Sequence, residues 1–151
     1  DLMEKFGFEP QQANPGALRV LARRLQDLES RIKAARRNAS VFRTATESAG
    51  LEPPFEAPWG QHSYFQFAIR FSTASARDRA MADLAARGVD SIRFYHDSAG
   101  LAARRYGYEP GTCPTAEAIA QTVLTVPCHG RLTSDDVETI ASALENLGDK
   151  P

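Results

Sequence analysis

His62-Ser63-Tyr64-Phe65-Gln66-Phe67-Ala68-Ile69-Arg70-Phe71 is the stretch on which the fold turns. Phe65, Phe67, Ile69 and Phe71 fall on one side of an extended chain, with Tyr64, Gln66, Ala68 and Arg70 on the other. A side-chain period of two with one apolar face predicts a half-buried strand. Nothing upstream has this period. The pattern there is helical, and downstream helical and extended segments alternate.

Upstream, Asn14 is a good N-cap and Pro15 suits a first helical position, where its missing N–H is no loss. Leu18, Leu21, Leu25, Leu28, Ile32, Ala35, Ala39 and Phe42 then recur at spacings of three and four. That seam predicts one long helix with its apolar stripe buried chiefly within the chain and partly against a further domain or partner. The other face carries Arg19, Arg23, Arg24, Arg31, Lys33, Arg36, Arg37 and Arg43, and is read as solvated or subunit-facing. Between this helix and the strand, Pro53, Pro54 and Pro58 break regular structure. Residues 51–61 therefore form a connector, pinned to the core through Phe55 and Trp59.

Downstream, Ser75 with Asp78 resembles a capping box and opens a helix through Met81 and Leu84 that stops at Gly88. Ser91–Tyr95 reads as a second strand, and Gly100 to Gly111 as a Gly/Tyr-rich loop. Thr115 caps a short helix carrying Ala116, Ile119, Ala120, Val123 and Leu124. Thr125-Val126-Pro127 is short and proline-ended, as an edge strand would be. Thr133 and Asp136 cap a last helix with Val137, Ile140, Ala141, Leu144 and Leu147 on one stripe, ended by Gly148. The expected class is α+β: a long helix, then a small antiparallel or mixed sheet with helices on one face. A chain of 151 residues, 42% of them apolar, suits a single domain over 1–151. It divides into lead-in and long helix (1–50), connector (51–61) and small core (62–148). Because the chain starts at Asp1 and its first residues read as mid-sequence, it is expected to be a fragment of a larger protein.

A net charge of -1 gives no electrostatic case for nucleic acid or an acidic membrane. No apolar run approaches the ~20 residues of a membrane span. Cys113 and Cys128 are expected to be free thiols in a reducing, cytoplasmic setting. Cys128-His129 lacks further ligands at zinc spacing, so no metal site is expected. Asp135-Asp136 and Glu117 lie in first helical turns, where the helix dipole accounts for acids. His62 and Ser63 are neighbours in a strand and face opposite ways, so they form no nucleophile–base pair. No short catalytic motif is present.

Several segments nevertheless stand in a telling order: His62-Ser63-Tyr64-Phe65, Gly88-Val89, Tyr95, Cys113-Pro114-Thr115-Ala116-Glu117, and Val126-Pro127-Cys128-His129-Gly130-Arg131-Leu132-Thr133-Ser134-Asp135-Asp136. The series resembles the carboxy-terminal pattern of the DegT/DnrJ/StrS family of pyridoxal-phosphate (PLP) nucleotide-sugar aminotransferases. That pattern has a strand opened by His and aromatics, a helix ending in Gly-Ile or Gly-Val, and a Tyr-bearing strand. Pro-x-Ala-Glu, Leu-Pro-x-His and Leu-Thr-x-Glu-Asp follow. The long Leu/Arg helix fits it too.

The resemblance implies the small domain of a type I PLP aminotransferase and a homodimer with active sites at the subunit interface. It also implies PLP bound mainly by a larger amino-terminal domain, with an amino group passing from glutamate to a keto-sugar nucleotide. Tyr95 and His96, at the end of the second strand, and His62 are then the candidate substrate-binding residues. No catalytic residue is expected in this chain, because the chemistry needs a Schiff-base lysine. The three lysines are unsuited: Lys33 is on the charged helix face, Lys150 is next to last, and Lys5 sits in Met3-Glu4-Lys5-Phe6. The chain also departs from the family's Gly-Tyr-Asn-x-Arg-like turn, reading Gly7-Phe8-Glu9-Pro10-Gln11. There the family's Asn helps bind the partner subunit's cofactor phosphate, and Glu9 places an acid instead. That departure leaves open a non-catalytic aminotransferase-like protein used for dimerisation or binding.

Overall fold

The computed structural model describes residues 14–93 and 98–147. Among them are six helices and a two-stranded antiparallel sheet, an α+β arrangement. The helices are α1 (Pro15–Gln26), α2 (Leu28–Ser48), α3 (Ala74–Ala86), α4 (Ser98–Tyr106), α5 (Pro114–Thr122) and α6 (Ser134–Glu145). The strands are β1 (Gln66–Arg70) and β2 (Val123–Pro127). The chain divides into two compact units, residues 1–30 and 31–151. The division falls within α2, and the proline-rich connector belongs to the second unit.

In the first unit the Asn14 side chain accepts from the Gly16 N–H at 2.8 Å, as an N-cap before Pro15 should. The single long helix expected from the seam is in fact two, since Asp27 ends α1 and α2 starts at Leu28. The seam divides with it. Leu18, Leu21, Leu25 and Leu28 are 45–56% exposed and α1 buries no residue, whereas Ala35, Ala39 and Phe42 are buried. The stripe, expected to be buried chiefly within the chain and partly against a further domain or partner, is buried within the chain at Ala35, Ala39 and Phe42.

The second unit is organised on that second half. Phe42 meets Phe67 edge-on, ring centroids 5.8 Å apart, and both are fully buried. Phe67 and Ile69 of β1 pair with Val126 and Leu124 of β2, so all four side chains share one buried sheet face. The expected alternation holds from Gln66 to Phe71 and fails before it. Tyr64 has φ +50, which reverses the side chains: Tyr64 is buried and Phe65 is 67% exposed.

β2 is not the edge its length and Pro127 suggested. Thr125 pairs with Ala68 on one side and exchanges two 2.9 Å backbone hydrogen bonds with Ile92 on the other. Pro127 is tolerated because it lies at the strand's end, opposite Gln66. Of the expected strand 91–95, Ile92 makes this bridge, and Phe94 and Tyr95 lie outside the described residues. Val123 and Leu124, assigned above to the short helix, belong to β2. Residues 98–106, expected as loop, form α4, where Ala102, Ala103, Arg104 and Arg105 are strong helix formers.

The caps are instructive. Thr133 and Asp136 form the expected capping box on α6, whose C-cap is Asn146; Gly148 lies outside the described residues. For α3 the cap is Thr73, accepting from the Ala76 N–H at 3.0 Å, rather than Ser75. Its other end is a Schellman turn: Gly88 at φ +77 lets the Val89 N–H reach the Leu84 carbonyl at 2.9 Å, and both side chains are buried. Cys113 holds the N-cap position of α5 with no side-chain cap bond, in place of the expected Thr115. Arg77 of α3 is 2% exposed, yet its charge is met by Asp78 at 2.9 Å and by the Gln121 carbonyl at the end of α5.

Residues 128–130 lie along α2 at very close range. The Cys128 thiol donates to the Ala35 carbonyl at 3.5 Å, and Asn38 Nδ2 donates to the His129 carbonyl at 3.2 Å. A Cβ on Gly130 would stand 2.7 Å from the Arg31 carbonyl oxygen and 2.9 Å from the Ala34 Cβ. Only glycine fits, on grounds of space. In urea titrations Gly130→Ala should cost about 1–3 kcal/mol through this overpacking. Phe42→Ala should cost about 3–5 kcal/mol, and Leu25→Ala on exposed α1 should stay within ~0.5 kcal/mol.

Candidate functional site

The basic face of α2 contributes two arginines to a polar cluster at the foot of β1. Arg36 and Arg43 lie seven residues apart, two helical turns, on one side of α2. Arg36 Nη1 donates to Glu56 Oε1 at 2.7 Å and to the His62 carbonyl at 2.9 Å. Arg43 Nη2 donates to the Pro54 carbonyl at 2.7 Å and to the Tyr64 hydroxyl at 3.3 Å. Glu56 is the hub: Oε1 also accepts from the His62 N–H at 2.8 Å, and Oε2 accepts from the Tyr64 hydroxyl at 2.8 Å. These two arginines are therefore fasteners of the connector rather than part of a merely solvated face. Phe55 and Trp59, expected to pin it, are 83% and 88% exposed.

Tyr64 is the second hub. Its ring is buried 6.3 Å from Phe67 and lies 4.5 Å from the His62 imidazole, with the Arg36 guanidinium 6.0 Å from its centroid. A left-handed conformation at a non-glycine residue costs about 1–2 kcal/mol and persists only where the surroundings impose it. Here the backbone N–H of Tyr64 donates to His62 Nδ1 at 2.9 Å, closing a local turn. Burial, ahead of its partners, raises the Tyr64 phenol above its usual range. Glu56 moves oppositely: the His62 N–H, then Arg36 and Tyr64, hold its carboxyl at about 2.

Of the expected site residues, His62 is exposed within this cluster, and Tyr95 and His96 lie outside the described residues. Glu56, Arg36, Arg43 and Tyr64 escaped the sequence reading. The detectable signal was one acid in a proline-rich connector facing an arginine-rich helix, but nothing local dictates the pairing.

A second cluster braces the start of α5. The Tyr108 hydroxyl donates to Glu117 Oε1 at 2.6 Å and accepts from the Cys113 N–H at 2.9 Å, while the Gly111 N–H donates to Glu117 at 2.7 Å. The Tyr108 hydroxyl bond, foremost, holds the Glu117 carboxyl below its usual range. A groove of about 500 Å³ lies between α2, residues 130–134 and α6; Arg37 and Glu138 are the charged groups among its lining residues, and no histidine, cysteine or lysine lines it. Among the described residues no three His, Cys, Asp or Glu side chains gather as metal ligands. Nor is any helix among them long and apolar enough to cross a membrane.

The model of the DegT/DnrJ/EryC1/StrS aminotransferase family matches residues 13–145. The chain belongs to that family. It is 32% identical over 111 residues to UDP-N-acetyl-3-dehydro-alpha-D-glucosamine 3-aminotransferase of Acidithiobacillus ferrooxidans, a match covering 72% of this chain and 29% of that protein. It is similar to DesV of S. venezuelae, solved in complex with a ketimine intermediate, at 25% identity and a TM-score of 0.73. That match covers 83% of this chain and 34% of DesV. The PLP-form of Spr1654 from Streptococcus pneumoniae shares the fold, with a TM-score of 0.71 at 18% identity, over 82% of this chain and 32% of that one. The chain thus spans about a third of the length of these relatives.

The depressed Glu56 carboxyl gives a signed expectation for acid stability. Its folded value lies below the ordinary 4.5, so it stabilises the fold above that pH and loses the contribution as pH falls toward about 2. In urea midpoints measured across this window, Glu56→Gln should lose less stability with acidification than the native chain. Parallel pH profiles for the two would refute it.

Proposed function

We propose that the chain is the carboxy-terminal portion of a PLP-dependent aminotransferase acting on a keto-sugar nucleotide, with glutamate as amino donor. The observation that carries this is the family match over residues 13–145 combined with the span of about a third of the relatives' length. The described residues do not fit PLP by themselves. Lys33, the lysine among them, is exposed on α2. In this reading a larger amino-terminal domain contributes the Schiff-base lysine and most cofactor contacts. PLP, when bound there, supplies the electron sink for moving an amino group.

The chain's part is to complete the substrate cleft as the small domain. Tyr95 and His96 contribute a ring for stacking and hydrogen-bond donors for the sugar or diphosphate, with His62 as a further donor. The exposed leucines Leu18, Leu21 and Leu25 of α1, with Leu28 at the head of α2, support a homodimer or a covering domain. The reading places the enzyme in the cytoplasm, as a nucleotide-sugar substrate would require. The alternative of a non-catalytic binding or dimerisation protein rests on Glu9 and Gln11, which lie outside the described residues.

Two measurements test this. The isolated chain mixed with PLP and borohydride should give no stoichiometric covalent adduct, whereas the full-length protein should trap PLP and aminate a keto-sugar nucleotide. Stoichiometric trapping on Lys5 or Lys33 with turnover would overturn the division of labour, and an inactive full-length protein would favour the alternative. In the full-length enzyme Tyr95→Phe and His96→Ala should each raise KM for the sugar substrate by about tenfold, the loss of roughly one good hydrogen bond. Unchanged kinetics in both would return these residues to scaffolding.

A further inference from the structure

Among the described residues His62 is held from several directions at once. Its backbone N–H is bound by Glu56 Oε1 at 2.8 Å and its carbonyl by Arg36 Nη1 at 2.9 Å, while these two side chains bind each other at 2.7 Å. The three bonds close a ring around the peptide groups of one residue. The imidazole is fixed separately, because Nδ1 accepts the Tyr64 N–H at 2.9 Å and the ring leans on the Tyr64 ring at 4.5 Å and 45°. An N–H donor at Nδ1 requires a lone pair there, so the neutral ring carries its proton on Nε2.

We infer that Glu56 and Arg36 are positioning residues that hold His62 in a single orientation and tautomer, presenting Nε2–H as a ready donor to an anionic oxygen of the substrate, of the diphosphate class. The inference rests on His62 lining the substrate cleft, as proposed above. Three features of the cluster go beyond what fastening a connector requires. The residue so tightly held is exposed, where a purely structural brace would bury it. The backbone strain sits at Tyr64, the same residue whose N–H meets the imidazole. And the Tyr64 hydroxyl, itself held by Arg43, donates to the far oxygen of Glu56, so the carboxylate has little freedom to swing. A donor fixed before the ligand arrives loses little rotamer freedom on binding, which favours affinity without altering chemistry.

The tautomer is directly observable. Long-range proton–nitrogen correlation spectra of the nitrogen-15-labelled chain at about pH 8, where a typical histidine is neutral, should show His62 with an unprotonated Nδ1 and a protonated Nε2. The resonances are assigned by their loss in His62→Gln. In Glu56→Ala and in Arg36→Met the two nitrogen shifts should move toward one another as the tautomers mix, while Glu56→Gln, which keeps an acceptor oxygen, should stay near the native pattern. Two substitutions on different elements guard against one failing to fold. A His62 spectrum unchanged in both Glu56→Ala and Arg36→Met overturns the proposal.

Kinetics on the full-length enzyme separate this idea from the one beneath it. His62→Ala should raise KM for the sugar nucleotide by about tenfold with kcat nearly unchanged. Glu56→Ala should do the same, and the double variant should be no worse than His62→Ala alone, because the two act through one donor. If His62→Ala leaves KM unchanged, the reading of His62 as a substrate ligand fails, and the spectra still decide the positioning. If His62→Ala raises KM and Glu56→Ala does not, the positioning proposal fails and the ligand reading stands.

Discussion

The second unit depends on α2 being seated at close range against the paired strands and the segment after them. Ala35, Ala39 and Ala45 give that helix face almost no side-chain height, and Phe42 projects from it to meet Phe67. The shallow face also admits Cys128, His129 and Gly130 to backbone contact. A larger side chain at Ala34, whose Cβ faces Gly130, would push the segment outward. Loss of the Phe42 ring would leave a hole between helix and sheet that neither rigid element closes easily. Helix, strand order and the turn before α6 are thus consequences of one packing choice.

From this seating follows the reach of Arg36 and Arg43. With α2 fixed over β1, two arginines two turns apart overhang the connector, and Glu56 is drawn beneath them. The left-handed Tyr64 accompanies the fitting of a buried aromatic into that arrangement two residues before the strand pattern settles. Irregular backbone, a depressed carboxyl and an exposed, restrained imidazole coincide at the junction of connector and sheet.

How much of this was legible in the sequence depends on the range of the interactions. The Thr133–Asp136 cap and the core of β1 from Gln66 to Phe71 are local, and the sequence reading found both. Proline at 127 suggested an edge, since a missing N–H is costly in a ladder, but its place at the strand end removes that cost. Gly100 and the tyrosines around 106–108 concealed α4 behind loop chemistry, although the alanines and arginines between them favour a helix. The Leu/Ala seam was seen, while the break at Asp27, where no glycine or proline marks a helix end, was not. The candidate site was the least legible part. His62 was singled out, but its partners Arg36 and Glu56 are 26 and 6 residues away and only the tertiary fold joins them.

Cys128 carries one last consequence of the tight seating. Its sulfur is wholly enclosed against α2, and burial pushes the thiol up to about 12. It is therefore chemically silent toward alkylating reagents while the segment stays down. Cys113 at the head of α5 is open to solvent. The protein so contains a matched pair of thiols, one modified on contact with reagent and one only when the helix and the segment part. The slow modification rate of the second counts those partings directly, an intrinsic clock for the opening of the very contact on which the fold rests.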